Sequence, residues 1–353
     1  MKWENVQKQV QAEHSQQGFA GRFGAGLPRV GDGSLLFLMH LLSKRKPFEL
    51  GGSRIGIVLS GSPLFNGGAG SGESEIRRWI LENDWLEAII ALPTDLFYNT
   101  GIGTYIWVLS NHKDALRKGK VQLIDASAMH APMRKSLGSK RKYLSDKQIV
   151  EIAKLHEAFE EGPNSKIFAT TDFGYRRITV ERPLRLCFSV TPDKLGAYQN
   201  TKGADQAEAF DGVQGKFDNL PAFLKAAGIN KLGKGALKAA LACFGERDAN
   251  AQPVLDDKGN QQADSDLREF ESVPLNQNID DYLAREVLPH VQDAWIDRGK
   301  MDAKDGQVGM VGYEINFNRY FYVYQPPRRL SEIDSDLKAV ESEIAALLGE
   351  VTA

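Results

Sequence analysis

Pro93 to Asn111, PTDLFYNTGIGTYIWVLSN, joins a strand stop, a glycine-bracketed turn and an apolar strand in one short string. Ala88 to Leu92 is a short apolar strand that Pro93 ends, because proline has no N–H to give a sheet ladder. Asn99, Gly101 and Gly103 then mark a tight connection, since these residues tolerate the positive φ angles of turns. Thr104 to Ser110 follows as an almost uninterrupted run of β-branched and aromatic residues, suited to a strand covered on both faces of an α/β sheet. Two readings are open: a plain hairpin packed through its aromatic residues, or a loop on core strands that carries function.

The surrounding sequence alternates helix and strand. Gly33 to Lys44 is apolar almost all round and predicts a helix packed deep against a sheet. Arg54 to Ser60 is a strand bounded by Gly51, Gly52 and Gly61. Glu73 to Asn83 is amphipathic, with Ile76, Trp79 and Ile80 on one face and acids in its first turn, where the helix dipole favours them. Lys120 to Ala126 adds a strand. This order predicts an open, largely parallel sheet with its binding crevice at the carboxyl ends of the strands.

The blocks DGSLLFLMHLLSK (Asp32 to Lys44), RIGIVLSGSPLFNGGAGSGESEIRRWIL (Arg54 to Leu81), LPTDLFYNTGIGTYIWVLSN (Leu92 to Asn111) and DFGYRRITVERPLRL (Asp172 to Leu186) resemble the methylation subunit of type I restriction-modification systems. They occur in that family's order and cover roughly the first half of the chain. The resemblance implies an α/β fold: the C-terminal part of a Rossmann-like methyltransferase sheet (1–130), then a mixed, mainly helical extension (131–325) and a coiled-coil-like docking helix (326–353). It implies transfer of a methyl group from S-adenosylmethionine to the N6 amine of adenine in DNA, in a complex with a specificity subunit and a restriction subunit. Non-catalytic assembly on the specificity subunit or on DNA is the alternative.

Two elements of that chemistry are missing from the sequence. One is a D/F-x-G-x-G turn after the first sheet strand; the other is an Asn-Pro-Pro-aromatic motif that holds the flipped base. Gly18 to Gly26, GFAGRFGAG, imitates the first, but the polar AEHSQQ precedes it where a buried strand is required. Gln325 to Arg328, QPPR, lacks both the leading Asn and the trailing aromatic residue. Asn66 to Gly72, NGGAGSG, lacks the Gly-Lys-Ser/Thr ending of a P-loop and reads as a mobile loop near the cofactor cleft.

The opening KWENVQKQVQAEHSQQGFAGRFGAGLPRVGDGSLLF resembles family sequence just downstream of the Asn-Pro-Pro-aromatic motif. The expectation is therefore a polypeptide that begins inside a catalytic domain and is inactive alone, its cofactor-binding half removed or separately encoded. On the same resemblance, Arg22, Phe23, Asp32, Gly33 and Ser34 border the flipped base, and Phe97, Tyr98, Asn99 and Thr100 line the same cleft.

The 353 residues, 42% hydrophobic and 25% charged, allow two domains with a sizeable core. A formal net charge of −2 leaves DNA contact to local basic clusters. The best is Met133 to Tyr143, where Arg134, Lys135, Lys140, Arg141 and Lys142 in a flexible loop could follow phosphates; a solvated connector is the alternative. Cys187 and Cys243 have neither metal-ligand spacing nor a disulfide framework, which with the absence of a long apolar run points to the cytoplasm. Asp256, Asp257, Asp264 and Asp266 do not match a calcium loop, and no metal is expected.

Ser145 with Gln148 forms a capping box before a helix whose apolar face is Ile149, Ile152, Leu155 and Phe159. Leu237 to Phe244 is a short helix. Pro326 and Pro327 end the strand-like EINFNRYFYVYQ, and Ser331 with Asp334 caps a last helix. There Leu330, Ile333, Leu337, Val340, Ile344 and Leu347 recur at coiled-coil spacing. So short a seam needs a partner or its own domain to pack on; the resemblance implies the specificity subunit.

Overall fold

The computed structural model describes residues 2–256, 258–324 and 326–352. Asp257 and Gln325, and with them the readings of the DDKGN turn and of QPPR at those positions, lie outside the described residues. The chain opens with α1 (Gln7–Gln17), a 3-10 turn over Gly18–Ala20 and an extended stretch leading to α2 (Ser34–Ser43). Helix α2 buries Leu35, Leu38, Met39 and Leu42 but exposes Phe37 and Leu41, so it is covered on one side only. The apolar-all-round reading overstated its burial.

Strand β1 (Arg54–Ser60) follows, then α3 (Ser62–Phe65) and α4 (Gly72–Glu82), whose N-cap Ser71 accepts the Ser74 amide through Oγ. The strands β2 (Leu86–Leu92), β3 (Thr104–Ser110) and β4 (Lys120–Asp125) come next, then the hairpin β5 (Ala131–Leu137) and β6 (Lys140–Tyr143). Helix α5 (Asp146–Ala158) starts with both reciprocal bonds of the Ser145–Gln148 capping box, and β7 (Ser165–Ala169) closes this part.

The first sheet has the order β1-β3-β2-β4-β7. Strand β3 is antiparallel to both β1 and β2, β4 is antiparallel to β7, and only β2 and β4 run parallel. The expectation of a largely parallel sheet is therefore corrected. The loop after Pro93 turns the chain straight back into the neighbouring strand, whereas parallel pairing needs a long crossover. One face packs on α2 and α4 around Trp107, Leu109, Ile89 and Leu123; the other packs on α5 around Ile90, Ile124 and Ile152.

The extension holds two more sheets. Strand β8 (Gly174–Glu181) runs into β9 (Leu186–Ser189), α6 (Pro192–Gln199), β10 (Lys216–Phe217), α7 (Leu220–Ala226), α8 (Lys234–Phe244) and β11 (Gly245–Arg247). Strand β9 pairs with β10 and β11 beneath these helices, around Phe188, Tyr198, Phe210, Phe223 and Phe244. Strand β12 (Glu269–Pro274), helix α9 (Ile279–Tyr282), β13 (Trp295–Ile296) and β14 (Met310–Tyr313) come next, and β12, β13 and β14 all pair with β8. The chain ends with α10 (Phe317–Phe321) and α11 (Leu330–Thr352).

The strand-like EINFNRYFYVYQ is thus no strand beyond Tyr313. Phe317, Tyr320 and Phe321 sit at i, i+3 and i+4 and face the first core together, a helical period the β-rich composition concealed. Helix α11 begins at Leu330, one residue before the Ser331 expected to cap it.

Two buried cations join the parts. Arg77, 1% exposed, donates to four carbonyls: Nε to Tyr313 at 2.5 Å, Nη1 to Pro63 at 3.1 Å and Asn66 at 2.8 Å, and Nη2 to Gly67 at 2.9 Å. Burial draws its pKa down to about 10, so it stays charged at neutral pH. The NGGAGSG segment is therefore tied down through Asn66 and Gly67, and the Ala69 amide donates to the Tyr175 hydroxyl at 3.1 Å.

Arg78 reaches both oxygens of Asp302 at 3.0 Å. Burial works against the Asp302 charge, but the Val311 amide, Arg78 and the amides of Lys304 and Asp305 outweigh it and hold the carboxyl at about 2. A carboxylate held below its unfolded pKa stabilises the fold above that value, and the contribution is lost as pH falls through the folded pKa. Asp302 should thus contribute roughly 2 kcal/mol that disappears between about pH 4 and pH 2. Melting curves across that interval should show a smaller pH-dependent loss for Asp302→Asn than for the parent chain. Parallel curves would rule this contribution out.

Candidate functional site

Between α1, α2 and the segment joining them lies a cleft of about 550 Å³, with Trp3, Val10, Phe23, Leu36 and Phe37 on its apolar walls and Lys2, Asn5, Gln9, Arg22 and His40 as polar members. Its shape follows from local sequence. Trp3 Nε1 donates to the Arg29 carbonyl at 2.9 Å, and His14 Nδ1 lies 2.7 Å from the Phe23 carbonyl, folding the glycine-rich stretch back on α1. The Arg22 guanidinium is gripped by Glu13, with Nε to Oε1 at 2.9 Å, and lies 4.7 Å from the centre of the Phe23 ring.

Arg22, Phe23 and Gly33 come together on this cleft. Asp32 and Ser34 stand beside it at the carboxyl end of β1. Asp32 Oδ1 accepts from the Ser34 amide at 3.1 Å and hydroxyl at 2.6 Å, and Oδ2 accepts from Ser62 Oγ at 2.5 Å. Burial opposes the Asp32 charge, but the Ser34 and Ser62 bonds prevail and keep its pKa low. The sequence reading missed Ser62; the G-S-P turn directly after a predicted strand was the available signal.

Phe97, Tyr98, Asn99 and Thr100 are not among the residues lining that cleft. They sit in the β2–β3 loop, where Phe97 and Thr100 form a bridge, and this loop packs on the β5–β6 hairpin. The Tyr98 carbonyl accepts from the Ser139 amide at 2.9 Å, the Asp95 carbonyl accepts from the Arg141 and Lys142 amides, and Lys140 Nζ lies 5.0 Å above the Tyr98 ring. Gly138 makes the approach possible: at φ +62°, a Cβ there would meet the Tyr98 carbonyl oxygen at 2.5 Å.

The basic stretch is a hairpin rather than a flexible loop. Arg134, Lys135 and Arg141 are exposed on it, while Lys140 and Lys142 are half-buried against the β2–β3 loop. It presents five cations on a fixed frame. The α11 stripe is exposed throughout, from Leu330 at 79% through Ile333, Leu337, Val340 and Ile344 to Leu347 at 55%. Packing within the described chain does not account for that apolar face.

The glycine segments do not fit a cofactor cradle. Gly18 to Gly26 follows helix α1, not a strand, and a Cβ on Gly24 would strike the backbone of Gly18 and Phe19 at 2.5–2.6 Å. The space beside Gly67 and Gly70 is filled by Ser71, Glu73 and Met310 side chains. These glycines serve close packing of the chain on itself, and no step through S-adenosylmethionine follows from the residues present. Among the described residues, no group of three His, Cys, Asp or Glu could hold a metal ion, and no helix is long and apolar enough to cross a membrane.

Residues 2–173 match the family model for N-6 DNA methylase. The chain is 26% identical over 186 residues to the type I restriction enzyme MjaIX methylase subunit of Methanocaldococcus jannaschii, covering 52% of this chain and 30% of that protein. It is 30% identical over 207 residues to the HindI methylase subunit of Haemophilus influenzae, covering 58% and 42%. The solved methyltransferase subunit of a Streptococcus thermophilus type I restriction-modification system aligns with 23% identity and a TM-score of 0.38, over 46% of this chain and 31% of that one. The chain thus spans less than half the length of these curated relatives. Residues 2–173 are thus similar to the N-6 DNA methylase family, and the curated relatives that align there are methylase subunits of type I restriction enzymes.

Proposed function

We propose that this chain is one part of a type I methylation subunit that methylates adenine N6 in DNA with S-adenosylmethionine, and that it is inactive until a cofactor-binding half joins it. The family match over residues 2–173 carries the reading. An open edge on β1 supports it: the strand pairs with β3 on one side and with no strand among the described residues on the other. Val58 on β1 and Phe37 on the adjoining α2 are exposed, at 46% and 54%. Such an edge is a template for a further strand, and a strand of the cofactor-binding half is the proposed occupant.

Calorimetry with S-adenosylmethionine tests this, on the chain alone and with the amino-terminal half of a related methylase subunit added. Binding only after addition is expected; binding by the lone chain, or by neither, would refute it. In the same reading the hairpin follows DNA phosphates. Replacing Lys140, Arg141 and Lys142 together by alanine should weaken binding equally across sequences and flatten the dependence on salt by about one unit of log–log slope per lost contact. An unchanged slope would remove the hairpin from the interface.

A second reading, assembly without catalysis, is favoured by the bare α11 stripe. It expects co-elution with a specificity subunit that Leu337→Glu with Ile344→Glu abolishes, together with no methylation in the completed complex. Methylation by that complex would dismiss it.

A further inference from the structure

Helices α6, α7 and α8 and strands β9, β10 and β11 form a module carboxyl-terminal to residues 2–173, closed around Phe188, Phe210, Phe223 and Phe244. Its second and third helices are joined by a short, anchored turn. Gly228 at φ +68° ends α7, its amide donating to the Lys225 carbonyl at 3.0 Å and the Ile229 amide to the Leu224 carbonyl at 2.9 Å, and Ile229 and Leu232 are buried in the module's core. Helix α8 packs inward through Ala236, Ala239, Ala240 and Phe244. Lys234, Gly235, Lys238 and Ala242 are left on its outer face.

The charge on this helix pair is one-sided. From Leu220 to Phe244 the sequence has Lys225, Lys231, Lys234 and Lys238 and no Asp or Glu, in a chain whose net charge is −2. All four lysines are exposed, and none is in an ion pair among the described residues. Lys202, also exposed, stands close by, because a Cβ on Gly235 would lie 3.4 Å from the carbonyl oxygen of the adjacent Gly203. Elsewhere in the module cations are matched: Lys194 with Glu246 and Lys216 with Asp248, each at 2.7 Å, and Arg247 with Asp264 at 2.8 Å. Lys234 and Lys238 are four residues apart, a like-charged spacing that disfavours a helix. An anionic partner would offset that repulsion.

A smooth cationic helix face on an anchored turn complements the phosphates that border a groove of duplex DNA, where the second helix of a helix-turn-helix pair lies. We infer that α7 and α8 form a second duplex-binding surface, separate from the β5–β6 hairpin, with Lys225, Lys231, Lys234 and Lys238 on the phosphate backbone. Gly235 and Ala242 keep the face of α8 low enough for a groove. No Arg, Asn or Gln stands on that face to read base edges, so the contact takes any sequence. The inference rests on the DNA-binding reading above and adds to it a surface outside the family-matched segment.

The test measures binding of the full chain to two duplexes of unrelated sequence over a range of salt. Lys234→Gln with Lys238→Gln should weaken both duplexes alike and lower the log–log salt slope by about two units, one for each lost phosphate contact, with the melting temperature unchanged. Lys234→Arg with Lys238→Arg should keep the parent slope. Bound duplex should also shield Lys225, Lys231, Lys234 and Lys238 from acetylation, while Lys338 on α11 reacts as before. A slope untouched by the glutamine pair, beside one that falls on replacing Lys140, Arg141 and Lys142, would overturn this inference and leave the DNA reading standing. Shielding of the four lysines by polyglutamate and not by DNA would do the same, and would mark an acidic protein as the occupant. Binding of neither duplex would overturn both.

Discussion

Arg77→Met should cost about 4 kcal/mol or more and lower the melting temperature by many degrees. Methionine fills much of the same volume but donates nothing, so the carbonyls of Tyr313, Pro63, Asn66 and Gly67 lose their donor at once. A buried polar group left unmet costs about 1–3 kcal/mol; carbonyls that regain water will temper the sum. Arg77→Lys should fall between the two, because three donors on one nitrogen cannot span the spread of a guanidinium fork. Urea unfolding gives the size of the effect. Hydrogen exchange should show protection lost first at Gly67 to Ala69 and Val311 to Tyr313. A variant as stable as the parent would mean that Arg77 joins these segments only in appearance.

Gly72→Ala should be nearly as damaging, for a steric reason. A Cβ on Gly72 would lie 1.8 Å from the Leu27 carbonyl oxygen and 2.6 Å and 2.8 Å from the Leu27 carbonyl carbon and amide nitrogen. Those are backbone atoms, so no rotamer relieves the clash; either the Gly24–Arg29 stretch or the first turn of α4 must move. Overpacking that forces backbone shifts costs about 1–3 kcal/mol, occasionally more, and a clash with three backbone atoms belongs at the upper end. Displacing Arg29 would also break the Trp3 indole bond and its pairing with Glu73 at 2.8 Å. Tryptophan emission should shift to the red even where the chain still folds. Gly56→Ala is the control, because nothing lies within 4 Å of a Cβ there; equal losses in the two variants would refute the steric account.

Local chemistry was the legible part of this fold. Strands Arg54–Ser60 and Thr104–Ser110 have the boundaries their glycine and proline flanks set, and the Ser145–Gln148 cap needed only two residues three apart. What depends on distant partners was hidden. The antiparallel placement of β3 between β1 and β2 is decided by the reach of one loop, and helix and strand alternation alone suggested otherwise. Residues 317–321 look like a strand because Phe and Tyr favour sheets, yet their helical face is chosen by a core some two hundred residues upstream in the chain.

The candidate sites divide in the same way. Arg22, Phe23 and Gly33 share a cleft because they are close in sequence or on adjoining elements, whereas Phe97 to Thr100 are drawn to the hairpin by backbone bonds from Ser139 and Arg141.

The return of α10 to the first core sets a clock on synthesis. The first core needs Val311, Tyr313, Ile315 and Phe317 to close, and the bond from Arg77 to Tyr313 spans 236 residues. At about 5–20 residues per second on the ribosome, the emerging amino-terminal half waits roughly 10–50 s with its α4 face uncovered and the Arg77 guanidinium short of its Tyr313 partner. A nascent chain of this kind keeps that apolar face exposed for the whole interval, and one cut at the end of the family-matched segment would never cover it with Val311, Tyr313, Ile315 and Phe317.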